Sequence, residues 1–145
     1  MVSRVIPVDP FDLVIFGATG DLARRKILPS LFHRFQVGQM PEQGRIIGSA
    51  RTEISAQEFR DTVRSAIEEF VPSEEYEADM LDAFLTRLDY VAVDARGDGG
   101  WGQLRGKMRD DVVRAFYLSV SPSLFAPIAE RLQANGIATA DSRIG

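Results

Sequence analysis

Two glycines three positions apart, Gly17 and Gly20, follow directly on the apolar run Leu13-Val14-Ile15-Phe16, and Ala23 stands three further on. This is the pattern of a buried strand turning into a helix that holds phosphate. Gly17 takes backbone angles closed to other residues, and Gly20 lets the main chain approach a pyrophosphate. The following helix meets that charge with its first amide groups. Amides from Ala18 to Leu22 line such a site, and the Thr19 hydroxyl adds a donor. Asp21 reads as a cap on the helix start, because a carboxylate beside a phosphate would repel it. The spacing is looser than G-x-G-x-x-G, so the two glycines alone mark only a candidate dinucleotide site.

Cations supply the second chemical signal. The apolar run Ile46-Ile47-Gly48-Ser49-Ala50 ends in Arg51-Thr52. At that place an NAD-binding domain usually carries a carboxylate for the ribose hydroxyls, whereas a 2′-phosphate needs a cation. Arg51 offers a planar fork for phosphate and a surface for stacking on adenine, which favours NADP. NAD use stays open, with Glu53 the nearest carboxylate. Arg24, Arg25 and Lys26 form a basic cluster after Gly20. Arg24 and Arg25 read mainly as solvated, with a phosphate contact for one of them, assigned here to Arg24. The sole histidine, His33, reads as a partly exposed helix residue rather than a general base. With no cysteine there is no disulfide framework, thiolate metal site or cysteine nucleophile, and no metal ligands are assigned.

Asp21 to Pro29 complete the string GATGDLARRKILP, which closely resembles the N-terminal signature of bacterial glucose-6-phosphate dehydrogenases. The resemblance continues through Gly48-Ser49-Ala50-Arg51 and Phe116-Tyr117-Leu118-Ser119-Val120-Ser121-Pro122 to nearly the last residue. It implies an NADP-binding Rossmann-like domain, with Arg51 at the 2′-phosphate and Lys26 near the sugar phosphate of the substrate. It also implies that Asp94 and Ala95 border the coenzyme through backbone groups. Tyr117 is placed at that border too, the alternative being a core aromatic with a satisfied hydroxyl.

In that family a complete enzyme moves hydride from C1 of glucose 6-phosphate to NADP, giving 6-phosphogluconolactone and NADPH. The family's Glu-Lys-Pro-x-Gly segment and its histidine base do not occur in residues 1–145, so no catalytic residue is assigned. The expectation is the coenzyme-binding part of a longer cytoplasmic dehydrogenase, inactive alone. The resemblance implies a homodimer or homotetramer for the full enzyme and a monomer for this piece. A stand-alone NADP-sensing module is the alternative.

Two other classes lose their essential residues. Short-chain dehydrogenases need a tyrosine four residues before a lysine, but Tyr76, Tyr90 and Tyr117 are followed four later by Met80, Asp94 and Ser121. A P-loop needs G-x-x-x-x-G-K-[ST], which Gly17 and Gly20 followed by Asp21 do not supply.

The elements that must position these groups follow from periodicity. Strand-like runs lie at about 12–17, 45–50, 89–94 and 114–121, alternating with helical stretches, as in a mostly parallel sheet with helices on both faces. Leu31, Phe32 and Phe35 mark a helix that Gly38 and Pro41 stop, with Pro29 either kinking it or starting a second one. Ser55 and Glu58 have capping-box spacing, and Phe59, Val63, Ile67 and Phe70 give the stripe of a helix ending before Pro72. Further helices are predicted over 73–88, 101–111 and 124–135. Asn135-Gly136 forms a left-handed cap, and 137–145 begins another strand.

At 145 residues, 45% of them hydrophobic, the chain can bury one core and form one domain. The first ten residues carry no leader-like apolar run, and no stretch of about 18 apolar residues suggests a membrane span. A net charge of -4 argues against general nucleic-acid binding.

Overall fold

Apolar side chains alternate along each strand, and that alternation sorts the core into two layers. In the computed structural model, which describes residues 9–138 and 142–144, five parallel strands form one sheet in the order β3-β2-β1-β4-β5. They are β1 (Phe11–Phe16), β2 (Arg45–Ala50), β3 (Leu88–Ala92), β4 (Val113–Leu118) and β5 (Arg143–Ile144). The helices are α1 (Leu28–Gln36), α2 (Ala56–Phe70), α3 (Ala78–Leu85), α4 (Trp101–Lys107) and α5 (Phe125–Ala134). Ile15, Ile46 and Tyr90 face α1, α2 and α3; Val14, Ile47, Val91 and Phe116 face α4 and α5. The Rossmann-like α/β expectation is met, and strand order reverses between β1 and β4, where such sheets open a crevice at their carboxyl edge. The absence of a leader, read over residues 1–10, concerns residues mostly outside the described ones.

The capping box forms as predicted: Ser55 Oγ accepts from the Glu58 amide at 3.0 Å and Glu58 returns a carboxylate oxygen to the Ser55 amide at 3.2 Å. Phe59 lies so close to β2 that a Cβ on Gly48 would stand 2.4 Å from its ring. Beneath α1 and α3, Phe32 and Phe84 are fully buried with ring centroids 5.3 Å apart. Truncating either to alanine removes roughly 3–5 kcal/mol of stability.

Of the two readings of Pro29 the second is met: a π-helical turn, Ala23–Ile27, runs into α1, which opens at Leu28 with Pro29 in its first turn. Two predicted boundaries move, each for a packing reason. The helix predicted over 73–88 is broken, because Tyr76 is extended and packs edge-on against Phe32. A short 3-10 turn, Ser73–Glu75, precedes the break, α3 begins at Ala78, and Leu88 belongs to β3. The helix predicted over 101–111 stops at Lys107, since the Arg109 amide is drawn to the Asp12 carboxylate at 2.8 Å.

That carboxylate ties together the amino-terminal edge of the sheet. Asp12 is 0% exposed and accepts from Arg45 Nε at 3.0 Å and from Arg109 Nη2 at 2.8 Å. Burial penalises its charged form, but donors from Arg45 and Arg109 outweigh burial and hold the carboxyl below its usual range. With the amino edge spent on this network, ligand chemistry is left to the opposite edge.

Candidate functional site

The carboxyl ends of β1, β2 and β3, with the segment after β4, enclose a cavity of about 230 Å³. Phe16, Val93, Leu124 and Ile128 give it apolar walls, while Gly17, Ser49, Arg51, Asp94, Ala95 and Arg96 bring polar groups to it. Gly17 has φ +80° and stands so close to the chain after β4 that a Cβ would meet the Ser119 carbonyl oxygen at 2.0 Å. Its amide, at 2.8 Å, and that of Ala18, at 3.1 Å, both donate to the Ser49 carbonyl. The glycine turn is thus pinned from both neighbouring strands.

This pinning revises the donor set. Ala18 is fully buried and its amide is committed to Ser49, so it does not line a pyrophosphate as predicted. Gly20 donates back to the Gly17 carbonyl at 3.0 Å. First-turn amides of a helix have no intrahelical acceptor. Among the described residues, those of Thr19, Asp21 and Leu22 meet no backbone acceptor outside their own helix. Ala23 is buried beneath the helix start, where its small side chain lets the helix settle against the sheet. Asp21 caps nothing; it pairs with Arg25 Nε at 2.7 Å, one helical turn along. Arg25 also lies over the Phe70 ring.

Arg51 is exposed at the end of β2, without a partner among the described residues. It borders both the cavity and an adjoining groove that Glu53, Gly100 and Gln103 also line. Arg24 instead approaches Glu69 of α2 at 3.7 Å and stays outside the cavity. Lys26 projects from the π-helical turn, exposed and without an ion pair among the described residues, and it does not line the cavity either. His33 is exposed on α1.

Asp94 and Ala95 do reach the cavity, but the Asp94 backbone is already occupied. Its amide donates to Gly99 at 2.9 Å, and its carbonyl accepts from Trp101 Nε1 at 3.0 Å. Its carboxylate accepts from the Arg96 amide at 3.0 Å, so the Asp94 main chain and one carboxylate oxygen are both committed to this loop. Tyr117, in register with Ile15 on the opposite face from the cavity, is 40% exposed, and its hydroxyl has no partner among the described residues. It is not a core aromatic.

The sequence reading missed Ser49, Arg96, Leu124 and Ile128. Ser49 carried a usable signal, a hydroxyl interrupting an apolar strand one residue before its end. In the folded chain it is 0% exposed, and the hydroxyls of Ser49 and Ser119 have no hydrogen-bond partner among the described residues. An orphaned buried hydroxyl is costly, and at a cavity wall it is a natural ligand contact. Among the described residues no cluster of His, Asp or Glu side chains could hold a metal, and no helix is long and apolar enough to cross a membrane.

Comparison with known proteins adds to this geometry. The family profile described as "Glucose-6-phosphate dehydrogenase, NAD binding domain" matches residues 14–144. Glucose-6-phosphate 1-dehydrogenase of Rhizobium meliloti is 43% identical over 99% of the chain, and that of Gluconobacter oxydans is 42% identical over 94%. The chain spans 30% and 29% of their respective lengths. The crystal structure of glucose-6-phosphate 1-dehydrogenase from Mycobacterium avium superposes with a TM-score of 0.84 at 31% identity, covering 94% of this chain and 29% of that one. A glucose-6-phosphate dehydrogenase in complex with glucose 6-phosphate superposes with a TM-score of 0.80 at 27% identity, covering 99% of this chain and 30% of that one.

Proposed function

The chain belongs to the glucose-6-phosphate dehydrogenase family, and from that membership we propose that it binds NADP at the carboxyl edge of its sheet as the coenzyme-binding part of a longer dehydrogenase. The observation that carries this reading is Arg51, without a partner among the described residues, standing beside the cavity that the Gly17 turn closes. The residues present fit a dinucleotide. The close approach at Gly17 leaves the first-turn amides of the helix open to a pyrophosphate, Phe16, Val93, Leu124 and Ile128 exclude water from an apolar moiety, and the Ser49 hydroxyl supplies a donor.

When bound, the nicotinamide supplies the hydride acceptor for oxidation of C1 of glucose 6-phosphate to the lactone. This chain's own residues bind and orient. Arg51 grips the 2′-phosphate with its planar fork, the amides of Thr19, Asp21 and Leu22 hold the pyrophosphate, and Ala95 with the Asp94 carboxylate borders the ribose. Lys26, whose ammonium has no ion pair among the described residues, is proposed to approach the sugar phosphate. No residue here is proposed as the base: His33 is exposed on α1 and does not line the cavity. A cytoplasmic location and a homodimeric or homotetrameric complete enzyme accompany this reading. Calorimetric titration of the full-length protein with NADP and with NAD tests it. The expected result is binding of both, with NADP tighter, and absence of binding by either coenzyme overturns it.

A further inference from the structure

Arg51 extends from a short segment between β2 and α2, and an exposed arginine on such a segment has many rotamers to lose when it grips an anion. The backbone beneath it is not left loose. The Tyr90 hydroxyl, from β3, donates to the Thr52 carbonyl at 2.6 Å and lies 3.3 Å from the Ala50 carbonyl. These two carbonyls flank Arg51 on either side.

The tyrosine is itself fixed. It is 6% exposed, its ring packs against Phe59 with centroids 5.3 Å apart, and Phe59 in turn occupies the space that Gly48 leaves open on β2. Burial pushes its hydroxyl above the usual tyrosine range, so it remains a donor across neutral pH. Tyr90 faces α2, whereas the cavity lies on the α4 and α5 side. Its hydroxyl reaches the strand end from behind and does not line the cavity.

We propose that Tyr90 is a positioning residue for coenzyme specificity: by donating its one hydroxyl proton to the Thr52 carbonyl just past Arg51, while the Val93 amide holds the Ala50 carbonyl just before it, it presets the backbone from which the guanidinium meets the 2′-phosphate. This rests on the reading of Arg51 given above. Such pre-organisation lowers the ordering cost paid on binding and acts only on a ligand that uses Arg51. It therefore shifts NADP affinity and leaves NAD affinity nearly alone. A hydroxyl that merely satisfies itself inside the fold would change stability and treat the two coenzymes alike.

The test is a double-mutant cycle in the full-length protein, with dissociation constants for NADP and NAD measured for the wild type, Tyr90→Phe, Arg51→Ala and the double variant. Tyr90→Phe keeps the ring against Phe59 and removes one oxygen. Net hydrogen-bond contributions correspond to a rise in the NADP dissociation constant of about three- to tenfold, with NAD changed less than about twofold. In the Arg51→Ala background the same substitution is expected to have no further effect on NADP. Hydrogen exchange of the 50–53 segment is expected to quicken in Tyr90→Phe. Equal losses for both coenzymes, additivity with Arg51→Ala or unchanged exchange overturns the proposal. If Arg51→Ala lowers the NADP preference and Tyr90→Phe does not, the Tyr90 role alone fails. If Arg51→Ala leaves that preference intact, the reading of Arg51 fails and the Tyr90 role with it.

Discussion

The Ser119 carbonyl oxygen lies 2.0 Å from the place a Cβ on Gly17 would occupy, whereas a Cβ on Gly20 would find its nearest neighbour, the Gly17 carbonyl, at 3.2 Å. The two glycines of one motif therefore have different tasks. Gly17 joins β1 to the chain after β4, at an angle that side chains avoid. Gly20 leaves space beside the turn. Gly17→Ala is expected to lower the stability of the full-length protein by at least about 1–3 kcal/mol, because it adds strain at positive φ to a backbone clash. Gly20→Ala is expected to retain the thermal midpoint within a few degrees and to weaken coenzyme binding. Thermal unfolding and calorimetry on both variants separate the two effects.

Replacing Arg51 by alanine removes the cation that borders the cavity from the end of β2. Loss of a charge-assisted pair corresponds to about 1.5–3 kcal/mol, a tenfold to hundredfold rise in the NADP dissociation constant. NAD, lacking the 2′-phosphate, is expected to change by less than about threefold. Titration with both coenzymes decides the point, and equal losses would remove the 2′-phosphate role.

Ser49→Ala should move stability and affinity in opposite directions. The hydroxyl is buried without a partner among the described residues, so its removal relieves a desolvated polar group and is expected to be neutral or stabilising by about 1 kcal/mol. Coenzyme affinity is expected to fall about threefold to tenfold as a donor at the cavity wall is lost. Chemical denaturation in the absence of coenzyme, paired with titration, tests both signs.

Asp12 gives the fold a pH dependence of definite sign. Its folded-state pKa lies below the ordinary 3.8, so its stabilisation is present above that value and is lost as pH falls through the lower, folded-state value. Asp12→Asn is expected to cost about 3 kcal/mol at pH 7, at the low end for a broken buried pair because Arg45 and Arg109 remain partly hydrated. The difference between variant and wild type should shrink below about pH 4. Denaturation midpoints measured from pH 3 to 7 check this, and a difference independent of pH would contradict it.

The sequence by itself determined the alternation of strands and helices, the glycine turn, the capping box at Ser55 and Glu58 and the cation after the second strand. Each is written in a short local pattern with one physical reading: a period, a spacing, or a residue that alone tolerates an angle. Only the tertiary structure decided which groups remain for a ligand. The Ala18 amide and the Asp94 backbone looked available, but Ser49 on the neighbouring strand claims the first, and the loop folding back through Gly99 and Trp101 claims the second. Arg24 and Asp21 likewise carry the right charge for their expected roles, yet Glu69 and Arg25 stand nearer. Tyr90 gave no local sign of its reach, since the Thr52 carbonyl it holds lies 38 residues away. Hydrogen-bonding capacity is a property of residues, whereas its allocation depends on which segments the parallel register brings side by side, and that register is settled only when the whole sheet packs.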